Sequence, residues 1–173
     1  MRSAWAPLAI FGALVWFSSE PAPAIAADKT DKTVFGYWKS IDTDTGKTQS
    51  IFRLWEDKGK LVGKILKTFP KEGEKQQTVC EECSGAQKGK PIEGLIFFWG
   101  FSRDNGSDTK WIDGKVLNPG NGKTYNCEVE LAEDGKTLKV YGYIRLLVKV
   151  GGTNIWQRPT SEELASVPGT PGA

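Results

Sequence analysis

Two neighbouring segments alternate apolar and polar residues with a period of two, and this pattern constrains the fold more than any other feature of the sequence. The residues on the apolar face of the first segment, 123–131, are Tyr125, Cys127, Val129 and Leu131. Residues 137–147 repeat the alternation, and the Asp134-Gly135 dipeptide between the two segments is a strong β-hairpin signal. A period of two belongs to half-buried strands and excludes an amphipathic helix. The two segments are therefore predicted to pair antiparallel.

The rest of the chain from residue 34 to residue 158 has the same organisation, with short β-branched and aromatic segments separated by Gly, Asp and Asn clusters. The predicted strands are residues 34–40, 48–56, 61–69, 95–101, 110–117, 123–131, 137–147 and 154–158. The pair Gly151-Gly152 is predicted to lie in the turn before the last strand. Successive hairpins favour an up-and-down meander, and closure removes its exposed edges. The predicted fold is all-β, an eight-stranded antiparallel up-and-down β-barrel.

The two ends of the chain differ from this central region. Residues 1–27 combine Arg2, an uncharged apolar run and a small-residue ending, which is typical of a signal peptide. The apolar run is short for a membrane anchor. The expected organisation is a signal peptide over 1–27, a barrel domain over 28–160 and a flexible C-terminal tail over 161–173, with a periplasmic or secreted location and no stable membrane insertion after cleavage. A small outer-membrane barrel is an alternative, disfavoured by the short strands and the polar ending.

Short motifs near the two ends of the predicted barrel suggest how it is closed. Gly36-x-Trp38 opens the first strand, and Trp156-x-Arg158 ends the last one. In a closed barrel these strands are neighbours, so the guanidinium of Arg158 can lie across the indole of Trp38. This arrangement resembles that of the calycins and lipocalins. The alternative is a buried tryptophan and an unrelated surface arginine.

A longer series of motifs extends the resemblance over most of the chain. It includes Leu61-x-Gly63-x-Ile65, Cys80-x-x-Cys83, Lys90-Pro91-Ile92-x-Gly94 and a Trp111-to-Cys127 segment with regularly placed Gly and Pro residues. With the terminal motifs, it is similar to a family of secreted bacterial proteins known as domain of unknown function 2147. The resemblance implies an exported lipocalin-like barrel and transfers no activity, cofactor or catalytic residue. The sequence departs from the family pattern at residues 145–151.

Three cysteines are present, two of them in a long segment without hydrophobic periodicity, residues 70–93. An exported protein meets an oxidising compartment, where Cys80, Cys83 and Cys127 allow three different pairings. Either Cys80 and Cys83 join within the loop, or one of them joins Cys127. Two carboxylates between Cys80 and Cys83 argue against a reactive redox thiol.

Large aromatic residues are frequent, and four of them, Trp55, Trp99, Trp111 and Tyr125, are candidate ligand-binding residues. Small barrels use such rings either to fill the interior or to line a pocket for one small ligand. If a pocket is present, its expected occupant is a small apolar molecule with one polar anchor.

Composition restricts the chemistry that the chain can perform. The sequence contains no histidine, so histidine-dependent catalytic units and metal sites are excluded. A net charge of +2 with no basic patch does not indicate nucleic-acid binding. Acidic pairs such as Asp42 and Asp44 lie in predicted turns, where carboxylates are solvated.

The sequence therefore favours a monomeric, exported, non-catalytic protein without metal or cofactor. The alternatives are an interaction module that uses the 70–93 loop and an enzyme based on carboxylates.

Overall fold

The protein is an eight-stranded antiparallel β-barrel in the computed structural model, which describes residues 32–71 and 73–170. The strands are β1 (Gly36–Ile41), β2 (Thr48–Asp57), β3 (Lys60–Thr68), β4 (Ile96–Arg103), β5 (Lys110–Asn118), β6 (Lys123–Leu131), β7 (Thr137–Arg145) and β8 (Lys149–Gln157). Each strand pairs with the next in sequence, and β8 pairs with β1. The predicted up-and-down barrel is confirmed.

The alternating strand directions give the barrel two different ends. The closed end, as we name it, contains the β2–β3, β4–β5 and β6–β7 turns together with Gly36 and Gln157. The open end contains the β1–β2, β5–β6 and β7–β8 turns and the long β3–β4 connection over residues 69–95. Trp38, Trp111, Phe98 and Phe101 are completely buried and belong to one hydrophobic cluster inside the barrel.

The last strand is longer than the sequence predicted. β8 begins at Lys149, so Gly151 and Gly152 lie within the strand and the prediction that they form a turn is wrong. Gly151 faces Tyr143 on β7, and a Cβ atom at Gly151 would overlap the carbonyl oxygen of Gly142. The glycine therefore permits close backbone approach of two strands, a use of glycine that resembles a turn signal in sequence.

The segment predicted as a flexible tail, residues 161–173, instead has a defined conformation up to Thr170. Residues Ser161–Ala165 form helix α1, capped by Thr160 and Glu163 in a reciprocal capping box. Glu163 also accepts hydrogen bonds from Lys39 and Thr48, and the Lys67 ammonium group donates to the Ser166 carbonyl. Polar contacts of this kind anchor the segment to the outer barrel surface, which a composition rich in Pro and Gly did not indicate.

Ile51 shows what the anchored segment covers. Ile51 pairs with Lys39 on β1 and with Lys67 on β3, so the three residues form one row across the sheet. Both lysines bond to the C-terminal segment, and Ile51 and Val167 are each almost completely buried. The segment thus shields an apolar side chain outside the barrel core.

The predicted signal peptide, residues 1–27, lies outside the described residues. Among the helices in the described part of the chain, none has the length and apolar character needed to span a membrane.

Glu163→Ala should lower the free energy of unfolding at pH 7 by about 2 kcal/mol, because the carboxylate loses the hydrogen bonds that it accepts from the Thr160 backbone amide, Lys39 and Thr48. Burial raises the pKa of Glu163, but hydrogen bonds from Lys39, the Thr160 backbone and Thr48 outweigh burial and bring it from 4.5 to about 2. Since the folded-state pKa is lowered, this contribution is complete above pH about 4.5 and is lost as the pH falls towards 2.

Urea unfolding across that pH range measures the effect, with Glu162→Ala as the matched control because Glu162 is exposed in the same helical turn. The difference in the free energy of unfolding between Glu163→Ala and the unsubstituted protein should become smaller as the pH falls. Equal effects of the two substitutions at pH 7 would contradict the anchoring role of Glu163.

Candidate ligand-binding cavity

A cavity of about 650 Å³ lies inside the open end of the barrel. Its lining comes from β1–β8 together with the long β3–β4 connection, which covers part of the opening. The volume is within the range of pockets that hold small organic molecules.

Aromatic rings form the inner part of this cavity. Phe52 contacts Phe97 and Trp156, with ring centroids 4.8 Å and 4.5 Å apart. All three residues are buried and line the cavity, and the aliphatic side chains of Ile65 and Ile92 line it as well. These contacts hold the rings in fixed positions, so the cavity offers a preformed apolar surface.

Polar groups lie nearer to the barrel mouth. The polar lining residues contributed by the strands are Ser40, Gln49, Ser50, Thr68, Asn118, Tyr125 and Asn154. The β3–β4 connection adds Lys71, Glu74, Lys75, Gln76 and Gln77. An apolar interior with a polar and partly charged mouth fits a molecule with an apolar body and one polar group.

Residues 69–71 and 73–77 of the β3–β4 connection form a cover, which we call the lid, and its first part is fixed to the β1–β2 side of the mouth. The Lys71 ammonium group lies 2.9 Å from the buried carboxylate of Asp42. Hydrogen bonds from the Lys71 side chain and the Thr45 backbone hold the pKa of Asp42 well below its usual range. The Gln76 amide donates to the Thr68 carbonyl. The lid is thus attached by an ion pair that persists throughout the neutral pH range.

The end of the lid and the rest of the connection are attached to the opposite side of the mouth. Cys80 and Cys83 are buried and lie at disulfide distance, with their Cα atoms 5.3 Å apart. The Gln77 amide and the Cys80 sulfur each lie 3.5 Å from the Pro119 carbonyl oxygen in the β5–β6 turn. A Cβ atom at Gly122 would overlap the Glu82 carbonyl, so a glycine is required at this contact. The Cys80–Cys83 segment therefore rests directly on the β5–β6 turn.

Cys127 is a free thiol inside the barrel, and it is completely buried. Burial in an apolar environment raises the pKa of this thiol well above its usual range. The pairing of Cys80 with Cys83, rather than of either with Cys127, was one of the alternatives that the sequence left open.

Cysteine labelling should give no rapidly reacting thiol in the folded, non-reduced protein and one reacting thiol after unfolding in denaturant. The first result follows because only the thiolate reacts and Cys127 is buried and protonated. Reduction before unfolding should raise the number of reacting thiols to three. In the matched control, Cys127→Ser, the unfolded protein should have one reacting thiol fewer, both with and without reduction. Three reactive thiols in unfolded, non-reduced protein would contradict the Cys80–Cys83 disulfide.

The structure distributes the four predicted ligand-binding residues over different parts of the barrel. Tyr125 lines the cavity, and its hydroxyl group accepts a hydrogen bond from Asn121 at the mouth. Trp111 is buried between Phe35 and Arg103, with its ring centroid 4.4 Å from the guanidinium carbon, and does not line the cavity. Trp55 and Trp99 are partly exposed and also lie outside the lining. The inward rings that do line it are Phe52, Phe97 and Trp156.

Gly36, Trp38 and Arg158 meet at the closed end. The Arg158 guanidinium lies 3.8 Å from the Trp38 ring centroid and donates hydrogen bonds to the carbonyl oxygens of Thr33 and Phe35. Gly36 has a φ of +104°, and a Cβ atom there would come within 3.0 Å of the guanidinium. Trp156, which the sequence grouped with these residues, points to the aromatic floor of the cavity instead.

No cluster of Cys, Asp and Glu side chains with the arrangement of a metal site occurs in residues 32–71 and 73–170. Where a shift in carboxyl pKa is resolved, at Asp42, Glu56, Asp134 and Glu163, the direction is downward. A general acid at neutral pH needs a raised carboxyl pKa, so these four residues have the opposite property.

Comparison with a solved structure gives the same fold. The protein described as "Protein HP1028 from the human pathogen Helicobacter pylori belongs to the lipocalin family" aligns with a TM-score of 0.60 and 20% sequence identity, over 75% of this chain and 85% of that one. At this identity the likeness concerns the fold alone. No curated protein gave a significant match.

The sequence profile of a bacterial family matches residues 36–158, from the start of β1 to the arginine that lies over Trp38. The matched region contains the whole barrel, the lid and the Cys80–Cys83 segment. The chain belongs to the family described as "Uncharacterized protein conserved in bacteria (DUF2147)", and its fold is that of a lipocalin-like β-barrel.

Proposed function

We propose that this protein binds a small molecule with an apolar body and one polar group in the cavity at the open end of the barrel. The observation that carries the proposal is the preformed cavity of about 650 Å³, with Phe52, Phe97 and Trp156 on its floor and polar side chains at its mouth. The apolar body would lie against the aromatic floor. The polar group would face the mouth near Tyr125 and Asn154.

The lid supports a binding role over the alternative that residues 70–93 form a protein-interaction module. The connection is held against the barrel on both sides, by the Lys71–Asp42 ion pair and by contacts with Pro119. Several of its side chains line the cavity. A segment fixed in this way contributes directly to a binding site and leaves less of its surface for a partner.

We further infer that the protein acts without catalysis, as a monomer, in the periplasm or outside the cell. The signal-peptide pattern of residues 1–27 supports export, and a disulfide between Cys80 and Cys83 is compatible with an oxidising compartment. The lowered pKa values of Asp42, Glu56, Asp134 and Glu163 favour binding over acid–base catalysis.

Gly152→Leu should weaken binding of a lipophilic fluorescent probe by about tenfold or more, which corresponds to about 1.4 kcal/mol or more. Gly152 lines the cavity, and a Cβ atom there meets nothing within 4 Å, so the new side chain begins in open space and takes up ligand volume. Titration of the probe, followed by quenching of tryptophan fluorescence, measures the affinity, with Trp156 on the cavity floor as the expected reporter.

The matched control is Thr153→Leu, which places the same side chain on the next residue of β8, on the opposite face of the strand. This control should retain the affinity of the unsubstituted protein. Absence of saturable binding near one equivalent, or equal affinities of the two variants, would overturn the proposed function.

A further inference from the structure

The tip of the β7–β8 hairpin, at the open end of the barrel, has unusual apolar exposure. Leu146, Leu147 and Val148 are 67%, 104% and 67% exposed, whereas most large apolar side chains of the described residues are buried. The Leu146 backbone amide bonds to the Val148 carbonyl, which closes the tip into a compact turn. Three large exposed apolar residues in one turn mark a contact surface.

An apolar path leads from this tip to the cavity. On β7 and β8, Gly142 pairs with Gly152, and both residues line the cavity. The next pair on the same face, nearer to the tip, is Ile144 with Val150, whose side chains are about half exposed. Because alternate pairs in a hairpin share a face, the inner face of the hairpin continues the cavity wall outwards.

The barrel wall is incomplete beside this path. β1 and β8 pair only through Lys39 with Gln157 and Ser40 with Trp156 in the described part of the chain. β1 ends at Ile41, whereas β8 continues back to Lys149. Ser40, Gly152 and Asn154 line the cavity from the two sides of the resulting gap. The part of β8 that extends beyond its pairing with β1 therefore borders the cavity.

Basic residues flank the apolar tip. Arg145 and Lys149 are adjacent to it, and no acidic residue occurs in the sequence between Thr137 and Thr160. Both cations also meet acids two strands away, since Lys149 on β8 bonds to Glu128 on β6 and Arg145 on β7 lies 3.8 Å from Asp113 on β5. An apolar tip with cationic flanks matches the boundary between headgroups and acyl chains of an anionic bilayer, where basic side chains remain with the headgroups.

We propose that the β7–β8 hairpin tip docks on the surface of an anionic phospholipid bilayer and that the ligand passes between bilayer and cavity along the inner face of the hairpin. The occupant of the surface is the lipid bilayer, because the exposed apolar tip carries a cation on each side and residues 137–160 contain no acid. The route of the ligand rests on the proposed function, whereas docking of the tip does not.

Co-sedimentation of the protein with vesicles tests the docking. Vesicles of phosphatidylglycerol and phosphatidylcholine in equal parts should bind the protein at about 0.1 M salt, where surface charges are only partly screened. Leu147→Glu should weaken this binding by about tenfold or more, because it removes a large apolar side chain and adds a charge that anionic lipid repels. Arg145→Gln should weaken it about fivefold.

Lys139→Gln is the matched control, because it changes the net charge by the same amount as Leu147→Glu. Lys139 lies on the exposed face of β7, six residues from Arg145 along the strand. It should bind vesicles like the unsubstituted protein. Absence of vesicle binding, or equal binding by Leu147→Glu and Lys139→Gln, would overturn the docking proposal. A dimer in gel filtration that Leu147→Glu dissociates would also overturn it, because the tip would then bind a second copy of the chain.

Probe titration without vesicles separates this inference from the proposed function. Leu147→Glu should bind the soluble probe normally and lose vesicle binding. Gly152→Leu should bind vesicles normally and lose affinity for the probe. Transfer of a fluorescent lipid analogue from vesicles to the protein tests the route, and it should be slowed about tenfold by Leu147→Glu. An unchanged transfer rate in that variant would contradict passage along the hairpin.

Discussion

Arg158→Ala should destabilise the protein by about 3 to 4 kcal/mol, one of the two largest effects expected from a single substitution outside the cavity. The guanidinium donates to the carbonyl oxygens of Thr33, Phe35 and Tyr37 at 2.8, 2.8 and 3.3 Å. Its removal leaves these carbonyls without that donor and uncovers the Trp38 ring, on which the guanidinium lies. Charge-assisted hydrogen bonds contribute about 1.5 to 3 kcal/mol each in well-ordered sites, and partial exposure reduces the sum.

Arg158→Lys should recover only a small part of this loss, because a single ammonium group cannot reproduce the planar fork of donors. Arg145→Ala is the matched control for removal of an arginine near the end of a strand, and its side chain is 62% exposed. It should change the stability by less than about 0.5 kcal/mol. Chemical denaturation measures all three variants, and equal stabilities of Arg158→Ala and Arg145→Ala would show that the closed end does not depend on this residue.

Gly114→Ala should destabilise the barrel by about 3 kcal/mol even though it adds only one methyl group. Gly114 is buried on β5, and a Cβ atom there would overlap the ring of Phe101. Phe101 stacks on Phe98 with ring centroids 4.0 Å apart, so it has little room to move. Overpacking of a rigid aromatic core costs about 1 to 3 kcal/mol and sometimes more.

Gly142→Ala is the matched control, since a Cβ atom at that strand position meets only a Val116 methyl group at 4.0 Å. Its stability should be within about 1 kcal/mol of the unsubstituted protein, and chemical denaturation again supplies the measurement. The double substitution Gly114→Ala with Phe101→Leu should be less destabilising than the sum of its parts, because the smaller side chain relieves the overlap. If the two losses of stability simply add, the destabilisation by Gly114→Ala does not come from overlap with the Phe101 ring.

Much of the barrel could be predicted from local patterns. Strands β2, β5 and β6 begin at the residues expected from alternation and turn chemistry. Their neighbours in the sheet follow because short turns allow only antiparallel pairing of consecutive strands. The meeting of Trp38 and Arg158 follows in turn from closure, since it makes the first and last strands adjacent.

The cavity was much harder to predict, and its aromatic residues show why. Alternation indicates that a ring points inwards, as for Trp111 and Phe52, but it does not indicate the depth at which the ring lies. Trp111 fills the closed end against Arg103, while Phe52 and Trp156 form the cavity floor. Depth depends on the register between strands and on irregularities such as those in the β3–β4 pairing, which are tertiary properties.

The sequence by itself determined the number, order and pairing of the strands, because a period of two and short turns are local properties of the chain. Only the tertiary structure decided the partner of Cys83, the place of Gly151 within β8 and the lid over the cavity. Each of these depends on the distance between groups that are remote in sequence or that could pair in several ways. Such distances are set when the barrel closes and its side chains pack, and no local pattern encodes them.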